Sequence, residues 1–270
     1  MSVDVVHWNP RAPLRSSGIG SRVRLGPRVR NFGDLLGPLI VEELVRREGL
    51  REEGRGSTRL LAVGSILRLA RDGDVVWGIG ANGKSLHDPF PFRTLDVRAV
   101  RGPKTRELLH AIGIDAPEVF GDPGLLVGRL WSREELRGGL TPRPLTVIPN
   151  LNDLRETGLA DRTYLDPRSD VSAVLQTIAA SEFVTGSSLH AIVIAESLGI
   201  PARLMRSSHE PEFKYLDYYL GSGRRGYEAA GSAGEAMARG GEPAPRWDPD
   251  PLLAAFPRDL WDQPVRSSRT

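Results

Sequence analysis

The chain has 270 residues, 40% of them hydrophobic and 26% charged, with a formal net charge of +2. That is enough apolar content to bury a real core in two compact lobes, and no apolar run approaches the ~18 residues that a membrane-spanning helix needs. The absence of cysteine excludes disulfides, thiolate nucleophiles and cysteine-held metals, while arginines spread along the chain rather than grouped in a stripe argue against a nucleic-acid partner.

Val3 to Trp8 reads as a first strand, and residues 1–30 lack the apolar core of a signal peptide, so cytoplasmic residence is the expectation. Arg11, Arg15, Arg22, Arg24, Arg28 and Arg30 then form a cationic loop with no acid among them. From Asn31 the pattern turns helical. Asp34 is placed to cap this helix, its apolar face uses Leu35, Leu39, Leu44 and Val45, and Pro38 is expected in the first turn. Strands at Arg59–Ser65, Asp74–Gly80 and Leu95–Val100, with a short helix starting at Ser65, are apolar runs bounded by glycine that suit parallel strands covered on both faces. A helix at Pro103–Ile112 and the segment Glu118–Leu126 complete a first doubly wound α/β lobe, residues 1–130.

Ser132 to Arg143 is polar and marks the boundary. A second α/β lobe, residues 143–225, follows with a strand at Leu145–Asn150, a helix at Val171–Ala180, a strand–helix–strand unit from Phe183 to Met205 and an aromatic helix from Pro211. Residues 226–270 read as a tail: a small-residue helix at Glu228–Arg239, a linker at Gly240–Pro251 and a terminal helix at Leu252–Trp261 that packs back.

The unit FVTGSSLHAIVIAESLGIPARLM at Phe183 carries the chemistry. Gly186 punctuates the strand, Ser187 or Ser188 caps the next helix, and His190 falls in its first turn. Amides without intrahelical acceptors and the positive end of the helix dipole favour a phosphate or carboxylate beside that imidazole. Asn31 and Asp34 follow the first strand in the cleft-facing position and are assigned to hydroxyls of a bound substrate or to loop geometry, and Asp122 to a turn with Pro123 and Gly124. Tyr215, Tyr218 and Tyr219 offer either a sugar-stacking surface or helix packing. GIGANG at Gly78–Gly83 is not supported as a nucleotide loop, because no clean βαβ unit with a following ribose acid surrounds it. The remaining histidines show no metal-ligand spacing, so no metal is expected.

Seven segments in register extend this reading: NFGDLLGPLI at Asn31, VGSIL at Val63, WGIGANG at Trp77, VRAVRGPKTRELL at Val97, GDPGLL at Gly121, SSLHAIVIAESLGIPAR at Ser187 and FKYLDYY at Phe213. In that order they resemble the polysaccharide pyruvyl transferase family, in its succinoglycan-type branch. The resemblance implies a GT-B-like pair of Rossmann-type lobes with an interdomain cleft. It also implies transfer of a pyruvyl group from phosphoenolpyruvate to a sugar as a cyclic ketal, with no cofactor beyond the donor. The implied acceptor is a sugar or lipid-linked oligosaccharide, compatible with peripheral association at the inner membrane face. His190 matches the family's acid/base histidine, whereas the arginine of the family's Arg-Leu-His signature is Ser188 here. Another cation must then hold the donor, and Arg101, Lys104 and Lys214 are the candidates beside Ser187 and Ser188. Two rivals stand next to this reading: a GT-B glycosyltransferase using a nucleotide sugar, with Glu196 as ribose acid, and a catalytically idle glycan- or anion-binding homologue.

Overall fold

In the computed structural model, which describes residues 3–11, 26–51, 58–84, 86–157, 159 and 161–261, the apolar runs form two parallel sheets. The first sheet joins β1 (Asp4–Val6), β2 (Arg59–Leu61), β3 (Asp74–Ile79) and β4 (Leu95–Val100), with helix α1 (Phe32–Glu48) crossing from β1 to β2. All six residues of β3 are buried, as a central strand covered on both faces requires. A parallel bridge from Val100 to Phe120 adds a fifth member. Strand order follows chain order, without the reversal of a doubly wound sheet. A 3₁₀ turn at Leu67–Leu69 stands where the short helix was expected, and among the described residues no helix lies between Gly83 and β4. Of the cationic loop, Arg11, Arg28 and Arg30 are described; Arg15, Arg22 and Arg24 lie outside the described residues.

After β4 come α2 (Pro103–Ala111), a 3₁₀ turn at Pro123–Leu126, α3 (Val127–Leu130) and α4 (Arg133–Arg137). Helix α4 begins in a capping box between Ser132 and Glu135, which is why the polar boundary segment is helical. The second sheet holds β5 (Thr146–Val147), β6 (Val184–Gly186) and β7 (Ala202–Leu204), with α5 (Leu154–Thr157), α6 (Val171–Ala179) and α7 (Leu189–Ser197) in the connections. Parallel bridges from Val147 to Tyr164 and from Met205 to Ala230 extend it on both sides. Its order is therefore Tyr164, β5, β6, β7, Ala230, and the chain changes direction between β5 and β6. In open α/β sheets the ligand crevice opens at the carboxyl ends of the strands flanking such a reversal. Here those ends lead into Ile148–Asn150 and Ser187–His190.

Helix α1 corrects the sequence reading in three respects. Its N-cap is Asn31, so Asp34 lies inside the first turn rather than capping it. Pro38 is inside the helix, where it removes the N–H that would bond the Asp34 carbonyl. The buried face is Phe32, Leu36, Ile40, Val41 and Leu44, with Gly33 and Gly37; Leu35, Leu39 and Val45 are only half-buried. The face is displaced because α1 packs between two layers rather than against one. A single apolar cluster runs from Leu36 and Ile40 of α1 through Leu126 to Ile148, Val174 and Ile192 of the second sheet and its helices.

The chain then adds α8 (Phe213–Gly221), α9 (Ala233–Arg239) and α10 (Pro249–Ala254). Helix α8 is fixed to the first sheet by Arg101, which is fully buried and pairs with Asp217 at 3.0 Å. Asp217 also accepts from the Thr105 amide and hydroxyl at 2.9 and 2.7 Å. Glycine at position 102 permits this approach, since a Cβ there would overlap the Asp217 carbonyl. Tyr215, Tyr218 and Tyr219 are buried, so packing rather than sugar stacking accounts for them. The segment expected as a linker is anchored: the Trp247 indole donates to the Phe120 carbonyl at 2.8 Å. Beyond it the tail covers the first sheet, with the Trp77 indole donating to the Leu252 carbonyl and Arg258 paired with Glu48. No helix among the described residues is long and apolar enough to cross a membrane.

Removing one partner of a buried, hydrogen-bonded ion pair leaves an uncompensated charge and costs about 3–5 kcal/mol. Asp217→Ala should therefore lower the unfolding free energy by that order in a denaturant titration. A loss below about 1 kcal/mol would show that the Arg101 clamp does not hold α8 in place.

Candidate functional site

A cavity of about 350 Å³ opens at the β5/β6 reversal and draws its walls from both sheets. The first half contributes Trp8 after β1, Asn31 and Asp34 from the start of α1, and Ser65, Asn82 and Lys84 from the loops after β2 and β3. The second half contributes Asn150 and Asn152 after β5, Ser188, Leu189 and His190 from the start of α7, and Glu210 with Lys214 at α8. Two helix N-termini thus face one space. Each carries amides without intrahelical acceptors and a positive dipole end, so the cavity suits an anion.

His190 is 7% exposed and lies against α1. Glycine at position 33 makes that contact possible, because a Cβ there would overlap the imidazole at Nδ1. Nε2 points inward, 3.6 Å from Asp122 Oδ2, and both atoms are sealed from solvent with no hydrogen-bond partner among the described residues. Asp122 is the cap of the 3₁₀ turn, its Oδ1 accepting from the Gly124 amide at 2.9 Å, as the turn reading expected. Burial alone would push its carboxyl up. The neighbouring His190, the Arg101 charge and the Gly124 amide outweigh that and hold it below the usual carboxylate range.

Asp34 behaves in the opposite way. Although it keeps some surface toward the cavity, protein surrounds its carboxyl, and this burial pushes it above the ordinary Asp value against the pull of His190, Asn31 and Lys214. Asn31 Nδ2 donates to Asp34 Oδ2 at 2.5 Å, which fixes both residues at the start of α1. On the far wall Lys214 Nζ lies 2.7 Å from Glu210, and Lys84 reaches the same carboxylate at 2.6 Å. Burial drives the Lys214 ammonium below the usual lysine range, partly offset by Glu210. Asn152 adds a third donor to Glu210 at 2.7 Å.

The structure therefore gathers Asn31, Asp34, Ser188, His190 and Lys214, five of the eight residues singled out from sequence. The other three stand elsewhere. Arg101 is enclosed behind the wall, donating to Ser65 Oγ at 2.7 Å and to the Ala81 carbonyl, so it supports the cavity without lining it. Lys104 is paired with Glu107 on the surface. Ser187 accepts from the Asn150 amide and side chain at 3.0 and 3.1 Å, holding the loop after β5 instead of facing the cavity. Ser188 is the N-cap of α7 by position but makes no side-chain cap bond. Sequence reasoning missed Asn150, Lys84 and Glu210. The strand-end position of Asn150 and the i,i+4 spacing of Glu210 and Lys214 were usable signals; the approach of Lys84 to Glu210, 126 positions away, is a tertiary arrangement with none.

The polysaccharide pyruvyl transferase family model matches residues 56–209. The chain belongs to this family. The matched span of the pyruvyl transferase model includes Asp122, Asn150 and His190, while α1 and Lys214 lie outside it. The chain is 29% identical over 201 residues to the succinoglycan biosynthesis protein ExoV of Rhizobium meliloti, a match covering 70% of this chain and 60% of that protein. It therefore spans less than two thirds of that relative's length. A crystal structure of a functionally uncharacterized protein from Klebsiella pneumoniae aligns with 81% of this chain and 87% of its own, at 11% identity and a TM-score of 0.44.

Two stability measurements test this geometry without any substrate. Alanine normally stabilises a helix relative to glycine by up to about 1 kcal/mol, but at position 33 it overlaps His190 and should cost about 1–3 kcal/mol. Combined with His190→Ala, Gly33→Ala should become neutral or stabilising; an equal cost in both backgrounds would rule out the contact. For Asp34 the raised folded value means that the native state holds the proton more tightly than the unfolded chain. Its contribution to stability is thus present below the unfolded value of about 3.8 and lost as pH rises through the folded value. Asp34→Asn should be more stable than wild type at neutral pH, with the advantage vanishing in acid, as thermal melts across pH can show.

Proposed function

We propose that the protein transfers the pyruvyl group of phosphoenolpyruvate onto a glycan of an exopolysaccharide as a ketal. The observation that carries the reading is His190, placed where two helix N-termini meet and inside the span matched by the family model. A carboxylate and a phosphate on one small donor suit paired helix ends plus a cation, and Lys214 is the cation candidate that reaches the cavity. The GT-B-like pairing of two Rossmann-type lobes belongs to the same proposal, supported by cavity walls that come from both sheets.

In this reading the enol methylene carbon of the donor takes a proton and becomes the methyl group, while the adjacent carbon becomes oxocarbenium-like. One sugar hydroxyl adds there as the carbon–oxygen bond to phosphate breaks, and a second hydroxyl closes the ketal. Two hydroxyl protons are lost, one is gained at carbon and one leaves on the phosphate, so the reaction balances without a cofactor. His190 is the titratable group placed to relay these protons, and Asn31, Asp34 and Asn150 present polar atoms to the acceptor hydroxyls. The acceptor in this proposal is a sugar or lipid-linked oligosaccharide met at the inner membrane face, with the protein cytoplasmic and peripheral.

The nucleotide-sugar alternative needs a free acid for the ribose on α7. Glu196 is committed instead: it is bonded by Tyr218 and receives two Arg224 nitrogens at 2.6 and 2.9 Å, buried on both sides. Arg224 in turn lies 4.1 Å over the Tyr219 ring. That acid serves packing.

Phosphate release should depend on both phosphoenolpyruvate and a glycan acceptor, and His190→Ala should remove it by at least about 100-fold while calorimetry still detects donor binding. Consumption of a nucleotide diphosphate sugar in place of phosphoenolpyruvate would sink the assignment, and donor binding without turnover across acceptors would mark the idle form.

A further inference from the structure

We propose that Asp122 is a positioning residue that keeps the His190 proton on Nε2 and so leaves Nδ1 as the nitrogen that exchanges protons with a ligand in the cavity. The role in turnover rests on the pyruvyl transfer reading; the arrangement itself does not.

Asp122 is fully buried and does not line the cavity, so it acts through another residue rather than on substrate. Its Oδ1 is engaged by the Gly124 amide at 2.9 Å, which leaves Oδ2 as the free acceptor. That oxygen is sealed and lies 3.6 Å from His190 Nε2, which is sealed and unpartnered too. Burying an acceptor and a ring nitrogen opposite each other is costly unless a proton lies between them. A carboxylate can only accept, so the nitrogen facing it must donate. At 3.6 Å the pair is beyond hydrogen-bond range but within that of an ion pair, so a small shift of either side chain closes the bond.

Fixing the Nε2 proton determines the rest of the ring. Nδ1 lies against Gly33 on the α1 side, where the amides of the helix start are, and in the neutral ring it is the acceptor. When it takes a proton, the imidazolium forms with the Asp122 carboxylate already behind it. The charged neighbours on the other packed elements are Asp34 on α1 and the Lys214–Glu210 pair at α8, with Arg101 beside Asp122. These surround the ring, but Asp122 is the group whose free oxygen faces Nε2.

Asp122→Asn is the informative change. Its carbonyl can still accept from the Gly124 amide, preserving the turn, which aims the amide nitrogen at His190 and makes Nε2 an acceptor. Nitrogen-15 shifts of the ring, assigned by comparison with His190→Gln, should show the neutral wild-type proton on Nε2 and its transfer to Nδ1 in the variant. A proton on Nδ1 in the wild type, or the same tautomer in both proteins, overturns the proposal. Should the variant fail to fold, the wild-type spectrum decides alone. In turnover, Asp122→Asn should lower kcat roughly 100-fold or more with little change in KM for phosphoenolpyruvate, and should add nothing to His190→Ala. An unchanged kcat alongside a switched tautomer overturns the catalytic link. If the wild type does not turn over phosphoenolpyruvate at all, the spectra still report on the pair, and it is the reading of function that has failed.

Discussion

Two helix starts pointing at one small space is the constraint around which this protein is built. Each brings roughly half a positive charge and amides that no carbonyl of its own helix can satisfy. Bringing α1 and α7 together at Gly33 and His190 is unfavourable unless negative charge is close by. The fold supplies two carboxyls and treats them differently. Asp122, behind the imidazole, is held in its charged form, whereas Asp34, at the cavity wall, is pushed toward the neutral one. Acids driven apart in this way are a recurring signature of sites where protons move. Two carboxyls, one of them pushed toward its neutral form, offset the helix ends only in part, a balance that would favour an anion between them.

Placement of the second wall depends on the Arg101–Asp217 pair. These residues lie 116 positions apart, and their contact brings α8 down onto the turn before α2. Once α8 is there, the Tyr215 hydroxyl donates to the Ser187 carbonyl at 2.8 Å, which ties the same helix to the start of α7. Lys214, one position earlier, is thereby carried to the cavity. Arg101 thus governs the site from behind: it holds Ser65 on one side and α8 on the other, and its charge also helps keep Asp122 ionised.

Which parts of this were legible in the sequence follows from what each residue's role depends on. Gly186 and Ser188 are local signals, and they located the start of α7 and His190 in its first turn. Helix α7 is buried from Leu189 through Ala195, so no face could be read from it, and only its cap betrayed the site. Helix α1 has apolar residues on several sides and the reading chose the wrong phase, because packing against two layers selects Leu36 and Ile40 over Leu35 and Leu39. The turn at Asp122 was readable from Pro123 and Gly124. That its second oxygen meets Nε2 was not, since this depends on the turn packing against α7, where Gly124 touches Val193. Arg101 shows the same limit from the other side: its position after a strand end pointed to a ligand, but Asp217 reached it first.

Serine at position 188 becomes intelligible in these terms. An arginine there, as the family resemblance expects, would project from the N-cap of α7 itself. In this chain that position is small and nearly buried, and the cations that line the cavity come from elsewhere: Arg68 and Lys84 from the first half, and Lys214 from α8. Lys214 is not a free charge: its ammonium shares the Glu210 carboxylate with Lys84, and burial disfavours its charged form. An anion entering between the helix ends would compete with Glu210 for the ammonium and favour its charged state. The cation is then recruited by the ligand rather than displayed in advance, which limits the cost of holding a buried positive charge beside two helix N-termini. Lysine suits that task better than arginine, because burial shifts its pKa more readily and its flexible stem can turn from one oxygen to another.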